Sequence, residues 1–193
     1  MSCHSLAVDV THSPVPINGA YCPKCWNLTF NTNSLLTHAE SFTNPSPDVC
    51  KVEGLIPTLY GADATEIPGA RSLCASLSST NPPVPWAIVT SGTSPLANGW
   101  LRILKLPTPA HFVTAESVAN GKPDPQGYLM GAESLKLDPK GLLVLEDSPA
   151  GIKAGKAAGC RVLGVATTHT AREVKEAGAD WVVERSEEHT SEL

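Results

Sequence analysis

The run GLLVLEDSPAGIKAGKAAGCRVLGVA, residues 141–166, decides the fold. It opens on a short apolar stretch, GLLVLE, and breaks at Glu146, Asp147, Ser148 and Pro149. Small residues and lysines follow up to Gly159, and a second apolar stretch, RVLGVA, starts at Arg161. Two continuous apolar strands joined by a helix suit a parallel sheet, because crossover helices hide both of its faces from water. Pro149 suits the first helical position, where its missing N–H has no partner to lose. Ala150, Gly151, Ala154, Gly155, Ala157 and Ala158 keep this helix thin, so it can lie close to the sheet whether or not a site is built there.

The same alternation extends outward on both sides. PGARSLCASL is expected to be a helix with Pro68 in its first turn, WAIVTS a strand and PLANGWLRILKL a helix. HFVTA reads as a strand. DPQGYLMGAESLKL reads as a helix capped by Asp124 with Pro125 at its first position. TAREVKEAGA is a further helix and DWVVE a last strand. Residues 68–184 are therefore read as an open α/β fold, a parallel sheet with helices on both faces. Residues 1–52 differ. Pro14, Pro16, Pro23, Pro45 and Pro47 lie among Ser, Thr, Asn and His, and no period persists. This part is expected to be irregular, with SLAVDV at residues 5–10 as its one strand-like piece.

The composition sets bounds on function. A chain of 193 residues holds one domain, or one with a small appendage. A net charge of −5 leaves no basic footprint for nucleic acid. No apolar run has the length of a membrane span, and MSCHSLAVDVTHSP does not read as a secretory signal. The six cysteines are irregularly spaced and read as reduced thiols of a cytoplasmic protein, expected to be a monomer. Cys22 and Cys25 in YCPKCWN stand in C-x-x-C spacing, and Cys3 with His4 would complete a zinc set. No second regular pair accompanies them, so incidental cysteines explain the pattern as well.

In open α/β folds, ligands bind beyond the carboxyl ends of the strands. That directs attention to VTSGT, TAESVANGKPDP and LEDSPAG. Glu146 and Asp147 offer hard oxygen ligands suited to Mg²⁺, and a helix cap at Asp147 or Ser148 is the competing explanation. Pro123 holds Lys122 extended in a stiff loop. A fixed ammonium there can neutralise a phosphoryl group and a neighbouring carboxylate, and a plain surface lysine in a turn is the competing explanation. Thr90, Ser91 and Thr93 supply hydroxyls, and Gly92 lets backbone N–H groups approach an anion. Strand-end turns are often rich in these residues for no functional reason.

In order and spacing the three segments resemble the haloacid dehalogenase superfamily of phosphohydrolases. VTSGT is similar to its second motif, GKPDP to its third and EDSPAG to its fourth. Within the superfamily, the stretch from IPGARSLCASL to KEAGADWVV resembles the fungal glycerol-phosphate and 2-deoxyglucose-6-phosphate phosphatase group. The resemblance implies that Asp147, helped by Glu146, holds Mg²⁺. It implies that Ser91, or Thr90 in the alternative register, binds phosphoryl oxygens beside the Gly92 backbone, and that Lys122 bridges phosphate and nucleophile. The implied reaction is hydrolysis of a small phosphorylated metabolite, a sugar or polyol phosphate, through an aspartyl-phosphate.

The family's first motif, a strand followed by Asp-x-Asp-Gly-Thr, is not in this sequence. LAVDVTHSP comes nearest. It offers Asp9 as a nucleophile candidate, with Thr11 where the second Asp would stand. Little turnover is expected from the chain as written. The alternative is a non-catalytic pseudophosphatase, or an incomplete gene product, that keeps a phosphate and metal pocket. In the family the first-motif strand lies between the strands carrying the second and fourth motifs. Either SLAVDV fills that slot, or two inner strands expose unpaired backbone groups. Residues 53–67 read as a remnant of the family's helical cap and its linker. RSEEHTSEL, residues 185–193, resembles a translated sequencing adapter.

Overall fold

The computed structural model describes residues 6–8, 16–17, 20–21, 45–64 and 66–183. Its sheet has six parallel strands: β1 (Leu6–Val8), β4 (Trp86–Val89), β5 (His111–Val113), β6 (Leu143–Glu146), β7 (Arg161–Val165) and β8 (Trp181–Val183), in the order β5-β4-β1-β6-β7-β8. Two short strands, β2 (Pro16–Ile17) and β3 (Ala20–Tyr21), form a separate antiparallel pair. The helices are α1 (Pro47–Tyr60), α2 (Ala70–Ser79), α3 (Ser94–Ile103), α4 (Gln126–Leu135), α5 (Pro149–Ala157) and α6 (Ala171–Glu176). None of the helices among the described residues is long and apolar enough to cross a membrane.

The central slot is filled. Leu6, Ala7 and Val8 pair in parallel register with Trp86, Ala87 and Ile88 on one side. On the other they pair with Leu143, Val144 and Leu145. The expected sheet over 68–184 therefore takes its middle strand from the segment expected to be irregular. Three residues suffice because both neighbours satisfy the strand's backbone groups.

Successive side chains of a strand point to opposite faces. On β6, Leu143 and Leu145 pack with Trp86, Ile88, Leu101 and Cys74, toward α2 and α3. Val144 joins Ile152, Val162, Val174 and Tyr128 on the other face, under α4, α5 and α6. The same alternation carries Glu146 to the Val144 side. Gly155 of α5 lies close to the sheet, and a Cβ there would stand 3.0 Å from Val162 and 3.4 Å from Val144. The thin helix read from the sequence is thus a packing requirement.

Three expected boundaries shift. Pro68 lies outside α2, which starts after Gly69 in a left-handed conformation, φ 88°. Pro125 is the N-cap of α4 rather than its first residue, and Asp124 Oδ1 accepts from the Gln126 N–H at 2.9 Å. The third change is larger. Helix α1 runs across the expected border at 52/53, through residues read as irregular and then as a cap remnant. Pro47 starts this helix instead of breaking it, and the Ser46 hydroxyl accepts from the Val49 N–H at 3.3 Å. Pro57 inside α1 is buried against α3, where a Cβ on Gly99 would lie 2.6 Å from Pro57 Cγ. The far side of α1 leaves Val52, Leu55 and Leu59 exposed.

Candidate functional site

The ends of β4, β6 and β7 and the loop before α4 converge at the carboxyl edge of the sheet. Glu146 is the hub. Its side chain is fully buried, and both of its oxygens accept from protein donors. Oε1 accepts from the Lys122 ammonium and, at 2.8 Å, from the Tyr128 hydroxyl. Oε2 accepts from the Asp147 N–H, the Ser148 N–H and the Ser148 hydroxyl, each at 3.0 Å. A buried carboxylate needs such partners to offset its lost hydration. The Ser148 hydroxyl also accepts from the Gly151 N–H at 3.0 Å and so caps α5. Gly151 is required here, because a Cβ at that position would overlap the Glu146 carboxylate.

Lys122 is held on several sides. Besides Glu146, its ammonium donates to the Val89 carbonyl at 3.3 Å and sits 5.1 Å from the centre of the Tyr128 ring. The ring face adds cation–π attraction. The side chain is 9% exposed, so the ammonium is a fixed charge and not a solvated one. A cavity of about 150 Å³ opens beside it, lined among others by Val89, Thr90, Ser91, Lys122, Asp124 and Tyr128. Three of the residues assigned from sequence to phosphoryl binding thus share one cavity wall.

The two acids, assigned jointly to a metal from the sequence, have different surroundings. Glu146 is turned under α4 and α5 by the alternation of β6 and is consumed by internal donors. Asp147, at the strand end, is 8% exposed. Its Oδ2 accepts from the Thr168 hydroxyl at 2.7 Å and from the Thr167 hydroxyl at 3.3 Å. Among the described residues no group of three or more His, Cys, Asp or Glu side chains is placed to hold a metal. Mg²⁺ commonly takes only one or two carboxylates and completes its shell with water and phosphate oxygens. Asp147 fits that demand, and Glu146 does not offer a further oxygen.

In the second-motif loop, Ser91 is exposed and Thr90 is buried. The Gly92 N–H, expected to face an anion, donates to the Thr90 hydroxyl at 2.9 Å in a local turn. The Thr93 hydroxyl is buried and has no hydrogen-bond partner among the described residues. Two carboxylates close the start of α3 behind this loop. Glu53 accepts from the Thr93 N–H at 3.1 Å. Glu116 accepts from the Ser94 N–H at 2.9 and 3.1 Å. Burial pushes the Glu116 carboxyl upward, but hydrogen bonds from the Thr114 hydroxyl and the Ser94 backbone outweigh it and hold the group below its ordinary value. Carboxylates at a helix N-terminus are also favoured by its dipole.

The structure thus brings Thr90, Ser91 and Lys122 to one cavity, ties Lys122 to Glu146 and sets Asp147 next in the chain. Asp9 lies outside the described residues, as do Cys3, His4, Cys22 and Cys25 of the zinc alternative. Sequence reasoning missed Tyr128, Thr167, Thr168, Glu53 and Glu116. The threonines had a usable signal, since VATTHT is a fourth strand end of the same sheet. Tyr128 and the two glutamates had none, because helical residues declare no partner.

Comparison with known proteins agrees with this architecture. The haloacid dehalogenase-like hydrolase family profile matches residues 38–159. Glycerol-1-phosphate phosphohydrolase 1 of Saccharomyces cerevisiae is 45% identical over 146 residues, covering 72% of this chain and 58% of the yeast protein. Hexitol phosphatase A of Escherichia coli is 50% identical over 101 residues, covering 52% of this chain and 46% of its own. The chain therefore matches about half the length of these relatives. CbbY from Rhodobacter sphaeroides, solved in complex with phosphate, superposes with a TM-score of 0.72 over 94% of each chain at 20% identity, a likeness of fold. With the profile matching most of its length, the chain belongs to the haloacid dehalogenase-like hydrolase family.

Proposed function

We propose that this chain carries the phosphate-handling core of a Mg²⁺-dependent phosphatase acting on a small sugar or polyol phosphate. The observation that carries the reading is the buried Lys122, fixed by Glu146, Tyr128 and the Val89 carbonyl beside a cavity that Thr90 and Ser91 also line. A positive charge that cannot swing away is pre-organised for a phosphoryl group and pays no reorganisation when charge develops on its oxygens. The polyol and sugar class follows the relatives, which act, by name, on glycerol 1-phosphate and hexitol phosphates.

In this reading Ser91 donates to a phosphoryl oxygen, and Lys122 neutralises it. Asp147 holds Mg²⁺, which supplies further neutralisation of the phosphoryl oxygens. Glu146 keeps Lys122 in place and is not a metal ligand. Asp9 follows the central strand β1 directly in sequence and is the candidate for attack. Its carboxylate oxygen would bond to phosphorus as the ester P–O bond breaks, and the departing alkoxide would take a proton from water. Water would then attack the acyl phosphate, releasing inorganic phosphate and restoring the carboxylate.

A second reading is a chain that binds phosphate and does not turn it over. It is favoured by Thr11, which stands where the family carries its acid/base aspartate. Hydrolysis of glycerol 1-phosphate, a hexitol phosphate and 2-deoxyglucose 6-phosphate with Mg²⁺ separates the two. Turnover abolished by Asp9→Asn and by Asp147→Asn supports the first. Phosphate binding without turnover supports the second. Turnover that survives Asp9→Asn refutes the assignment of attack.

A further inference from the structure

The Asp147 carboxylate is gripped from the neighbouring strand. Beyond the end of β7, the Thr168 hydroxyl donates to Asp147 Oδ2 at 2.7 Å and lies 3.0 Å from His169 Nδ1. The hydrogen bonding fixes a direction. A hydroxyl has one proton, and Thr168 gives it to the carboxylate oxygen, which can only accept. The 3.0 Å contact with His169 then requires Nδ1 to carry hydrogen and donate to the Thr168 oxygen. The chain runs His169 Nδ1–H to Thr168 Oγ1–H to Asp147 Oδ2. All three groups are buried or half-buried, where hydrogen bonds polarise one another more strongly than in water.

We propose that Thr168 is a positioning residue for Asp147, and that His169 fixes the Thr168 hydroxyl so that Asp147 presents its other oxygen toward the site. The inference rests on the reading of Asp147 as the Mg²⁺ ligand. A carboxylate with one oxygen pinned by an oriented hydroxyl loses less rotational freedom when it meets a cation. Partners of this kind set the orientation of metal-binding side chains, and removing one costs about 10–100-fold in affinity. Thr167 reinforces the grip through a longer bond of 3.3 Å to the same oxygen.

The test is Mg²⁺ titration by calorimetry on the full chain, with thermal midpoints recorded for each variant. Thr168→Val keeps the shape and removes the donor, and it is expected to weaken Mg²⁺ binding by roughly 10-fold or more. Thr168→Ser should restore it. His169→Ala should weaken binding in the wild-type background and add nothing to Thr168→Val, since the link is already cut. Mg²⁺ affinity unchanged in Thr168→Val, or additive losses in the double variant, overturns the inference while leaving Asp147 as ligand. A wild-type chain that takes up no Mg²⁺, or an Asp147→Asn variant that binds as tightly as wild type, removes the reading of the site itself and the inference with it. Nitrogen-15 NMR of the wild-type imidazole gives an independent check that needs no variant to fold. Hydrogen on Nδ1 supports the relay, and neutral imidazole with hydrogen only on Nε2 rules it out.

Discussion

Lys122 and Glu146 form a buried ion pair that joins the third-motif loop to the end of the fourth-motif strand, with the Lys122 side chain 9% exposed and that of Glu146 fully buried. Breaking such a pair from one side leaves the other charge stranded, at a cost of about 3–5 kcal/mol. Glu146→Gln is expected to lose stability of that order, because the Tyr128, Asp147 and Ser148 donors also converge on the carboxylate. Lys122→Met together with Glu146→Gln should cost less than the two single changes summed. Urea unfolding of the four proteins checks this double-mutant cycle.

The helix behind the acids tolerates no side chain at its third residue. Gly151→Ala would drive a methyl group into the Glu146 carboxylate. Overpacking of this kind typically costs about 1–3 kcal/mol. Gly141→Ala, with nothing within 4 Å of its added carbon, is the control and should stay within about 0.5 kcal/mol. Equal midpoints for the two variants would contradict the close approach.

Acid stability carries a specific signature. Burial pushes the Asp180 carboxyl up, but the Lys156 ammonium, at 2.7 and 2.8 Å, and the Val162 N–H, at 2.7 Å, outweigh it and hold the group below its ordinary value. A carboxyl lower in the folded than in the unfolded chain stabilises above the unfolded value, and that contribution is lost as pH falls through the folded value. Urea midpoints should therefore be flat in Asp180 terms near neutrality and decline below the ordinary carboxylate range. Asp180→Asn should flatten that acid limb and cost on the order of 1 kcal/mol at neutral pH, a figure already reduced for solvent screening of this partly exposed pair.

The seating of α1 depends on one small residue. Gly99→Ala would place its carbon 2.6 Å from Pro57 Cγ across the α1–α3 crossing. The expected result is faster amide exchange throughout Pro47–Tyr60, with exchange in Trp86–Val89 unchanged. Exchange that rises equally in both would mean global destabilisation and not undocking of one helix.

Much of the core was legible because its strands are continuous apolar runs between capped helices, a pattern that residues 141–166 display in full. Lys122 and Asp147 were legible because proline neighbours and strand ends mark them. The burial of Glu146 was not legible, since a sequence shows two adjacent acids but not the alternation that sends one inward. The start of helix α1 was missed because Pro47 was counted among the prolines of an irregular segment, although it starts the helix, and Pro57 fills a groove made by a glycine on α3. The six-strand sheet was legible only as an alternative, because a three-residue strand leaves no period to detect.

That three-residue strand also governs assembly. In synthesis Leu6–Val8 precedes both of its partners, Trp86–Val89 and Leu143–Glu146, by long stretches of chain. The sheet's middle pairings are long-range, which slows their formation. Until residues 143–146 are available, β1 presents a bare edge to any other extended chain. A slow or interrupted synthesis is therefore the condition under which this protein is most exposed to aggregation.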